Sequence, residues 1–333
     1  MAKIAINGLG RIGRASLKII TDTPDLELVA VNDLLPPENL AYLLKFDSAY
    51  GRYEKSVNSE GDSIVINGQK VKVLNVKNPS ELPWKEMGVD VVLECTGLFT
   101  KKEDLQMHIQ AGAQHAILSA PAKSDDVKMI VPGVNHSEKD DKVFSTASCT
   151  TNCIVPVMEV MRRRIGVEKA MMSTIHAYTS SQNIVDGPSK KLRRGRAGAI
   201  NLVPTSTGAA KATTKIIKEL EGMFDGVAIR APVPVGSISD ITFIASRSTT
   251  VEEVNNIFRE ECNSNRYRGI MGASEEEIVS TDIIKDPHGS LVDLTMTKVV
   301  GGNLVKVMSW YDNEWGYAAQ MVREASHLAK MME

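Results

Sequence analysis

The run Gly8-Leu9-Gly10-Arg11-Ile12-Gly13 constrains the fold more than any other feature of the chain, because of its place between the β-branched stretch Lys3–Asn7 and a helical pattern from Arg11 to about Ile20. Glycines at this spacing suit any tight turn; between a strand and a helix they suit a dinucleotide. Gly8 lets the chain turn, Gly10 lets a pyrophosphate approach the backbone, and Gly13 lets the helix close on the strand. The helix N-terminus then offers N–H groups and a partial positive charge to the phosphates. A second strand, Leu26–Asn32, leads into Asp33, 20 residues after Gly13. A carboxylate there reaches the adenosine ribose hydroxyls and repels a 2′-phosphate, which favours NAD over NADP.

Further strand-like runs follow at Val71–Asn75, Val89–Glu94, Ala116–Ser119 and Met129–Val131, with a helical pattern at Thr100–Gln110. Strands alternating with helices predict a doubly wound, mostly parallel sheet of Rossmann type. The pattern changes after Ser148. A helix from Cys149 to about Ile165 is followed by strands at Ala170–His176, Gly226–Arg230, Ser239–Ser246, Leu291–Met296 and Leu304–Trp310. These predict an α+β domain with a mainly antiparallel sheet and helices on one face. A last helix is expected over Asn313–Met332. At 333 residues the chain is long for a single core, so two domains are expected: a dinucleotide-binding domain at 1–148, onto which the helix 313–333 packs back, and a catalytic domain at 149–312.

A formal charge of −2 gives no global attraction to nucleic acid or to an anionic membrane, and no apolar run approaches the roughly 20 residues that span a bilayer. The N-terminus reads as a strand rather than a leader, which places the protein in the cytoplasm. The four cysteines, at 95, 149, 153 and 262, contain no C-x-x-C pair, so neither a disulfide framework nor a metal site is expected. Cys95 and Cys262 read as small buried hydrophobes. Cys149 differs: in Ser145-Thr146-Ala147-Ser148-Cys149-Thr150-Thr151-Asn152-Cys153 it opens a helix, where the dipole stabilises a thiolate and lowers the thiol pKa. A thiolate attacks an aldehyde carbon, and the thiohemiacetal so formed gives up hydride to a nicotinamide, leaving a thioester. Cys153, one turn on, reads as packing.

ASCTTNC resembles the active-site signature of the phosphorylating glyceraldehyde-3-phosphate dehydrogenases, as do INGLGRIGR at the start, LRRGRA at 192–197, PTSTGAAKA at 204–212 and WYDNEWGY at 310–317. The resemblance runs through the whole chain in order. It implies oxidation of glyceraldehyde 3-phosphate to 1,3-bisphosphoglycerate with reduction of NAD, Cys149 as nucleophile and His176, in STIHAYTS, as the base. It implies Thr179 and Arg230 for the substrate's own phosphate. Ser148, Thr150, Arg194, Thr207 and Gly208 would hold the attacking inorganic phosphate, where arginine and short hydroxyls donate in fixed geometry. The basic run Lys190–Arg196 then belongs to an anion pocket rather than to nucleic acid. For the cofactor it implies Arg11, Ile12, Asp33, Lys77, Thr96, Gly97, Ser119, Asn313 and Tyr317, with Asn313 fixing the nicotinamide amide. It also implies a homotetramer, with the 180–200 loop near a subunit interface.

The sequence departs from that family at four places, one of them Lys77, which replaces an Arg common near the adenine. Ser181 stands where the family's H-x-Y-T-x-D-Q carries an acid. Gly187 stands where strictly NAD-using members carry a larger apolar residue, so NADP is expected as a secondary cofactor. RAPVPVGS at 230–237 also departs, with no physical account. Three other readings compete. An erythrose-4-phosphate dehydrogenase would tend to lack Thr179 and the Thr205–Gly208 run. A semialdehyde dehydrogenase would lack WYDNEWGY, and a non-catalytic binding protein would have lost Cys149 or His176.

Overall fold

The computed structural model describes residues 1–332. The chain forms two compact units: Met1–Ile130 with His136–Ala147 and the chain from Ala318 onward, and Val131–Asn135 with Ser148–Tyr317.

The first unit runs β1 (Ala2–Asn7), α1 (Arg11–Ile20), β2 (Leu26–Asn32), α2 (Pro37–Lys45), a two-rung ladder of β3 (Phe46–Asp47) and β4 (Gly51–Arg52), β5 (Val57–Glu60), β6 (Ser63–Ile66), β7 (Gln69–Leu74), the single turn α3 (Trp84–Met87), β8 (Val91–Glu94), α4 (Lys102–Gln110), β9 (His115–Leu118) and β10 (Val143–Ser145). Its large sheet has the order β10-β9-β8-β1-β2-β7-β6-β5. Every pairing from β10 to β7 is parallel, and β6 and β5 add an antiparallel edge. From β1 the chain winds first toward β2 and β7, then returns to the other side as β8. The order therefore reverses between β1 and β8, and such sheets bind ligands at the carboxyl ends of the strands there. Strand β1 is buried at five of six positions because both faces are covered. Ile4, Ile6 and Leu93 pack with Leu17 of α1 and with Met321, Val322 and Leu328 of the last helix, α8 (Trp315–Met332). Ala5, Ala30 and Val92 pack with Trp84 on the opposite face.

The second unit runs α5 (Cys149–Ile165), β11 (Lys169–Ala177), β12 (Val203–Ser206), α6 (Ala209–Ile216), β13 (Phe224–Ala231), β14 (Ser237–Ile244), α7 (Val251–Asn263), β15 (Met271–Ser274), β16 (Ser290–Val300) and β17 (Leu304–Tyr311). Its sheet has the order β12-β13-β11-β14-β17-β16-β15, with β11–β13 and β15–β16 parallel and the remaining pairs antiparallel. Helices α5, α6 and α7 pack on it, and β14 alternates buried and half-buried residues as a strand with one covered face does.

Two readings of the sequence are corrected here. Met129–Val131 is no strand: Met129 makes one parallel bridge to Ser145, and Val131–Asn135 then groups with the second unit, where Arg266 Nε donates to the Gly133 carbonyl at 2.6 Å. The last helix begins at Trp315 rather than Asn313, because Asp312 Oδ1 accepts the N–H groups of Glu314 and Trp315 at 3.0 and 2.8 Å. Asn313 and Tyr317 accordingly lie in the second unit. No helix among the described residues is long and apolar enough to cross a membrane.

Candidate active site

The glycine-rich turn is built by contact. Gly8 has φ +92°, and a Cβ there would stand 2.8 Å from the Thr96 backbone; a Cβ on Gly13 would stand 2.0 Å from the Gly8 carbonyl oxygen. Gly10, by contrast, faces open space and caps α1 with no side-chain acceptor on the helix N–H groups. Asp33 Oδ2 accepts from Leu9 N at 2.8 Å and Oδ1 from Leu35 N at 3.0 Å, so the carboxylate shapes the turn as well as its rim. A cleft of about 330 Å³ lies along Gly8, Gly10, Asp33, Lys77 and Thr96. An open glycine backbone, an uncapped helix N-terminus and a rim carboxylate with remaining lone pairs together fit a dinucleotide such as NAD.

The other cofactor candidates of this unit are placed as follows. Arg11 pairs with Asp47 at 2.6 Å and lies over the Tyr50 ring, while Ile12 packs against the core. Gly97 has φ +72°, and Ser119 N donates to the Glu94 carbonyl at 3.0 Å. Thr96 is held from beneath: its N–H donates to Glu94 Oε1 at 2.8 Å, and its hydroxyl donates to the same oxygen. Asn7 Nδ2 donates to Glu94 Oε2 at 2.5 Å, and His108 Nε2 lies 3.1 Å from it. Trp84 Nε1 donates to His108 Nδ1 at 3.1 Å. An indole only donates, so the His108 proton sits on Nε2 and points at the carboxylate. None of Glu94, His108 and Trp84 was singled out from sequence.

In the second unit, Ser148 caps α5 by accepting from Thr151 N at 3.1 Å, which places Cys149 at the first helical position. The preceding Ala147 is left-handed, with φ +56°. Cys149 Sγ lies 3.4 Å from His176 Nε2. His176 comes from β11 and Arg230 from the adjacent β13, at paired register positions. Arg230 Nη1 approaches His176 Nδ1 at 2.7 Å and donates to the Ala177 carbonyl at 2.9 Å. Burial holds the His176 pKa down to about 3, with the charges of Arg230 and Arg194 adding to the effect. The ring is therefore neutral at physiological pH. The expected depression of the thiol is not found: burial pushes Cys149 up, and the Arg230 charge and hydrogen bonds from Thr150 offset this only in part. The resting pair is thiol and neutral imidazole, because desolvation outweighs the Arg230 charge and the hydrogen bonds at the start of α5.

Tyr311, which had no role in the sequence reading, organises this centre. Its buried hydroxyl bonds Thr150 Oγ1 at 2.9 Å and Thr174 Oγ1 at 2.7 Å, and its ring meets His176 edge-on at 5.9 Å. The motif WYDNEWGY contains it, and a tyrosine flanked by tryptophan and aspartate was the available signal. Asn313 Oδ1 accepts from Gly236 N and Ser237 Oγ, both at 3.1 Å. That fixes the amide so that Nδ2 faces away as a donor. Tyr317 is buried.

The anion-binding candidates fall into two groups. Thr179 Oγ1 lies 2.8 Å from Ser181 Oγ, so serine occupies the hydroxyl that an acid at 181 would accept from. Arg194 Nε donates to Thr205 Oγ1 at 3.0 Å, and Thr207 Oγ1 accepts from Ala209 N at 3.1 Å, with Gly208 as N-cap of α6. Burial lowers the Arg194 and Arg230 pKa values, which leaves two partly desolvated guanidinium groups in want of an anion. In the basic loop, Arg196 is instead paired with Asp186 at 2.6 Å.

The chain is similar to known proteins along its length. A family model described as glyceraldehyde 3-phosphate dehydrogenase, NAD binding domain, matches residues 2–102. One described as glyceraldehyde 3-phosphate dehydrogenase, C-terminal domain, matches 148–313. The chain is 47% identical to the glyceraldehyde-3-phosphate dehydrogenase of Clostridium pasteurianum and 45% identical to that of Zymomonas mobilis, with 99% of both chains covered in each case. It is 47% identical to that of Mycolicibacterium smegmatis over 96% of each chain.

Proposed function

We infer the activity from family and site together: the chain belongs to the glyceraldehyde-3-phosphate dehydrogenase family, and it is an NAD-dependent oxidoreductase that converts glyceraldehyde 3-phosphate and inorganic phosphate to 1,3-bisphosphoglycerate. The observation that carries the site assignment is the 3.4 Å approach of Cys149 Sγ to His176 Nε2 at the start of α5.

In this reading Cys149 Sγ forms a bond to the aldehyde carbon as its proton passes by way of Nε2 to the carbonyl oxygen, which raises the effective nucleophilicity of a thiol that burial keeps protonated. Bound NAD supplies the hydride acceptor. His176 Nε2 takes the hydroxyl proton of the thiohemiacetal as its carbonyl re-forms, leaving a thioester on Cys149. Phosphate then attacks the thioester carbon and the sulfur leaves. Arg230 and Thr179 hold the phosphate of the substrate; Arg194, Thr207, Gly208, Ser148 and Thr150 hold the attacking phosphate. Gly8, Gly10, Arg11, Ile12, Gly13, Asp33, Lys77, Thr96, Gly97 and Ser119 carry the dinucleotide, and Asn313 and Tyr317 the nicotinamide end. A homotetramer acting in the cytoplasm belongs to the same reading, and sedimentation equilibrium tests the assembly. Steady-state oxidation of glyceraldehyde 3-phosphate and erythrose 4-phosphate, each with and without phosphate, tests the activity; Thr179 and Thr205–Gly208 favour the former.

Cofactor choice gives one expected result. Wild type prefers NAD and shows measurable NADP use. Asp33→Ala lowers kcat/KM for NAD by about tenfold, roughly 1.4 kcal/mol, since the carboxylate also holds Leu9 N, and it narrows the gap to NADP. A wild type that prefers NADP overturns this assignment and moves the choice to the 180–190 loop.

Substrate phosphate gives another. Ser181→Asp changes KM for glyceraldehyde 3-phosphate by no more than about tenfold and leaves kcat nearly unchanged, because the Thr179 hydroxyl it touches can turn to donate to either side chain. Loss of activity in this variant places the phosphate elsewhere.

A further inference from the structure

The hydrogen bonds around His176 have two solutions, and the position of Arg230 selects between them. Nδ1 lies 2.7 Å from the Ala177 carbonyl oxygen and 2.7 Å from Arg230 Nη1, which itself donates to that carbonyl at 2.9 Å. A guanidinium only donates, and a neutral imidazole carries one N–H. With Arg230 donating to Nδ1, the ring proton sits on Nε2 and points at Cys149 Sγ, 3.4 Å away. With the ring proton on Nδ1, donating to Ala177, two N–H donors face each other at 2.7 Å, and Nε2 turns a lone pair toward the sulfur. The first arrangement sets the Nδ1 lone pair 2.7 Å from the Ala177 oxygen, but Arg230 Nη1 bridges these two acceptors with its two hydrogens, so it is preferred while Arg230 stays on the ring. The guanidinium is incompletely satisfied there, since its buried Nε has no partner. An anion offers what the ring does not.

We propose that Arg230 is a positioning residue that sets the tautomer of His176: on Nδ1 it keeps the proton on Nε2, and when an anion draws it off, Nδ1 takes the proton and Nε2 becomes the base. This rests on the reading in which Arg230 binds the substrate's phosphate. The ring remains neutral in both states, so the switch moves a proton between its two nitrogens rather than charging it. The charged or titratable groups facing it are Arg230 and Arg194, Cys149 and the Tyr311 ring. The consequence lies in the oxidation step. The thiohemiacetal O–H proton passes to Nε2 while the C–O bond becomes a carbonyl and hydride leaves for NAD. Only the tautomer with a lone pair on Nε2 accepts that proton. The substrate's phosphate thus acts on kcat as well as on KM, and an aldehyde without phosphate meets the base in its unproductive form.

Nitrogen-15 NMR of the NAD-loaded enzyme labelled at histidine reads the tautomer directly, with the His176 signals identified by their loss in His176→Asn. Without anion, Nε2 is protonated; with glycerol 3-phosphate as an unreactive probe, Nδ1 is protonated. The same tautomer in both states overturns the proposal. The kinetic arm follows the single-turnover hydride step with glyceraldehyde 3-phosphate and with unphosphorylated glyceraldehyde. Arg230→Ala lowers kcat/KM for the phosphorylated substrate by about 10²-fold or more and raises the glyceraldehyde rate severalfold above wild type. A glyceraldehyde rate that is unchanged or lower refutes the switch. If glycerol 3-phosphate binds Arg230→Ala as tightly as wild type, the phosphate assignment fails instead. Unchanged NAD affinity certifies the fold, and Arg230→Gln, which keeps an N–H donor for Ala177 without charge, repeats the measurement if the alanine variant is unstable.

Discussion

Cys149→Ala leaves NAD affinity unchanged and lowers turnover by on the order of 10⁴–10⁶, the scale on which covalent catalysts fail when the nucleophile is removed. No neighbouring thiol replaces it. Cys153 is fully buried and donates to the Ser309 carbonyl at 3.6 Å, and burial pushes its pKa to about 12. Burial likewise pushes Cys262 to about 12 and Cys95 up as well. Cys149 alone has an imidazole nitrogen at its sulfur, His176 Nε2 at 3.4 Å. Alkylation of the wild type with iodoacetamide, mapped by mass spectrometry, therefore modifies Cys149 first, with activity falling in proportion. Activity that survives full modification of Cys149, or first modification at Cys153 or Cys262, removes Cys149 from its role. The raised thiol pKa adds a second expectation: alkylation accelerates steadily with pH through and above about pH 8, because thiolate is scarce in the resting pair.

The parts of this molecule that were legible in the sequence are those where backbone chemistry has few solutions. Gly8 and Gly13 were readable because the turn tolerates no Cβ: one would strike Thr96 and the other Gly8 itself. Helix α5 was readable from Cys149 to about Ile165 because hydroxyl residues precede a long helical pattern that ends at Gly166. The parts not read depend on partners distant in the chain. Glu94 meets Asn7 from 87 residues away and His108 from 14, and nothing local marks that network. Tyr311 reaches back 161 residues to Thr150. The thiol pKa was misread for the same reason: the helix N-terminus is a local feature, whereas desolvation depends on the whole second unit packed around Cys149. Helix α7 is a different kind of miss. Thr250-Val251-Glu252-Glu253 is a helix-start signature present in the sequence, and Thr250 does accept from Glu253 N at 3.2 Å.

His176→Asn keeps NAD binding and lowers turnover by about 10²–10⁴, the range for loss of a general acid–base group. It also carries a stability signature that a purely structural histidine at the surface would lack. Folded, His176 titrates at about 3; unfolded, it titrates near 6.5. As pH falls from about 6.5 toward 3, the unfolded chain binds a proton that the folded chain refuses, so stability declines by at most about 1.4 kcal/mol per pH unit from this group alone. Above about pH 6.5 the residue is neutral in both states and contributes no slope. The asparagine variant does not titrate. Its urea midpoint, compared with wild type at about pH 7, 5.5 and 4.5, therefore gains on wild type as the solution is acidified. A difference that stays constant across that range means His176 is readily protonated in the folded protein, and the neutral-base mechanism would have to give way to one that starts from a thiolate–imidazolium pair.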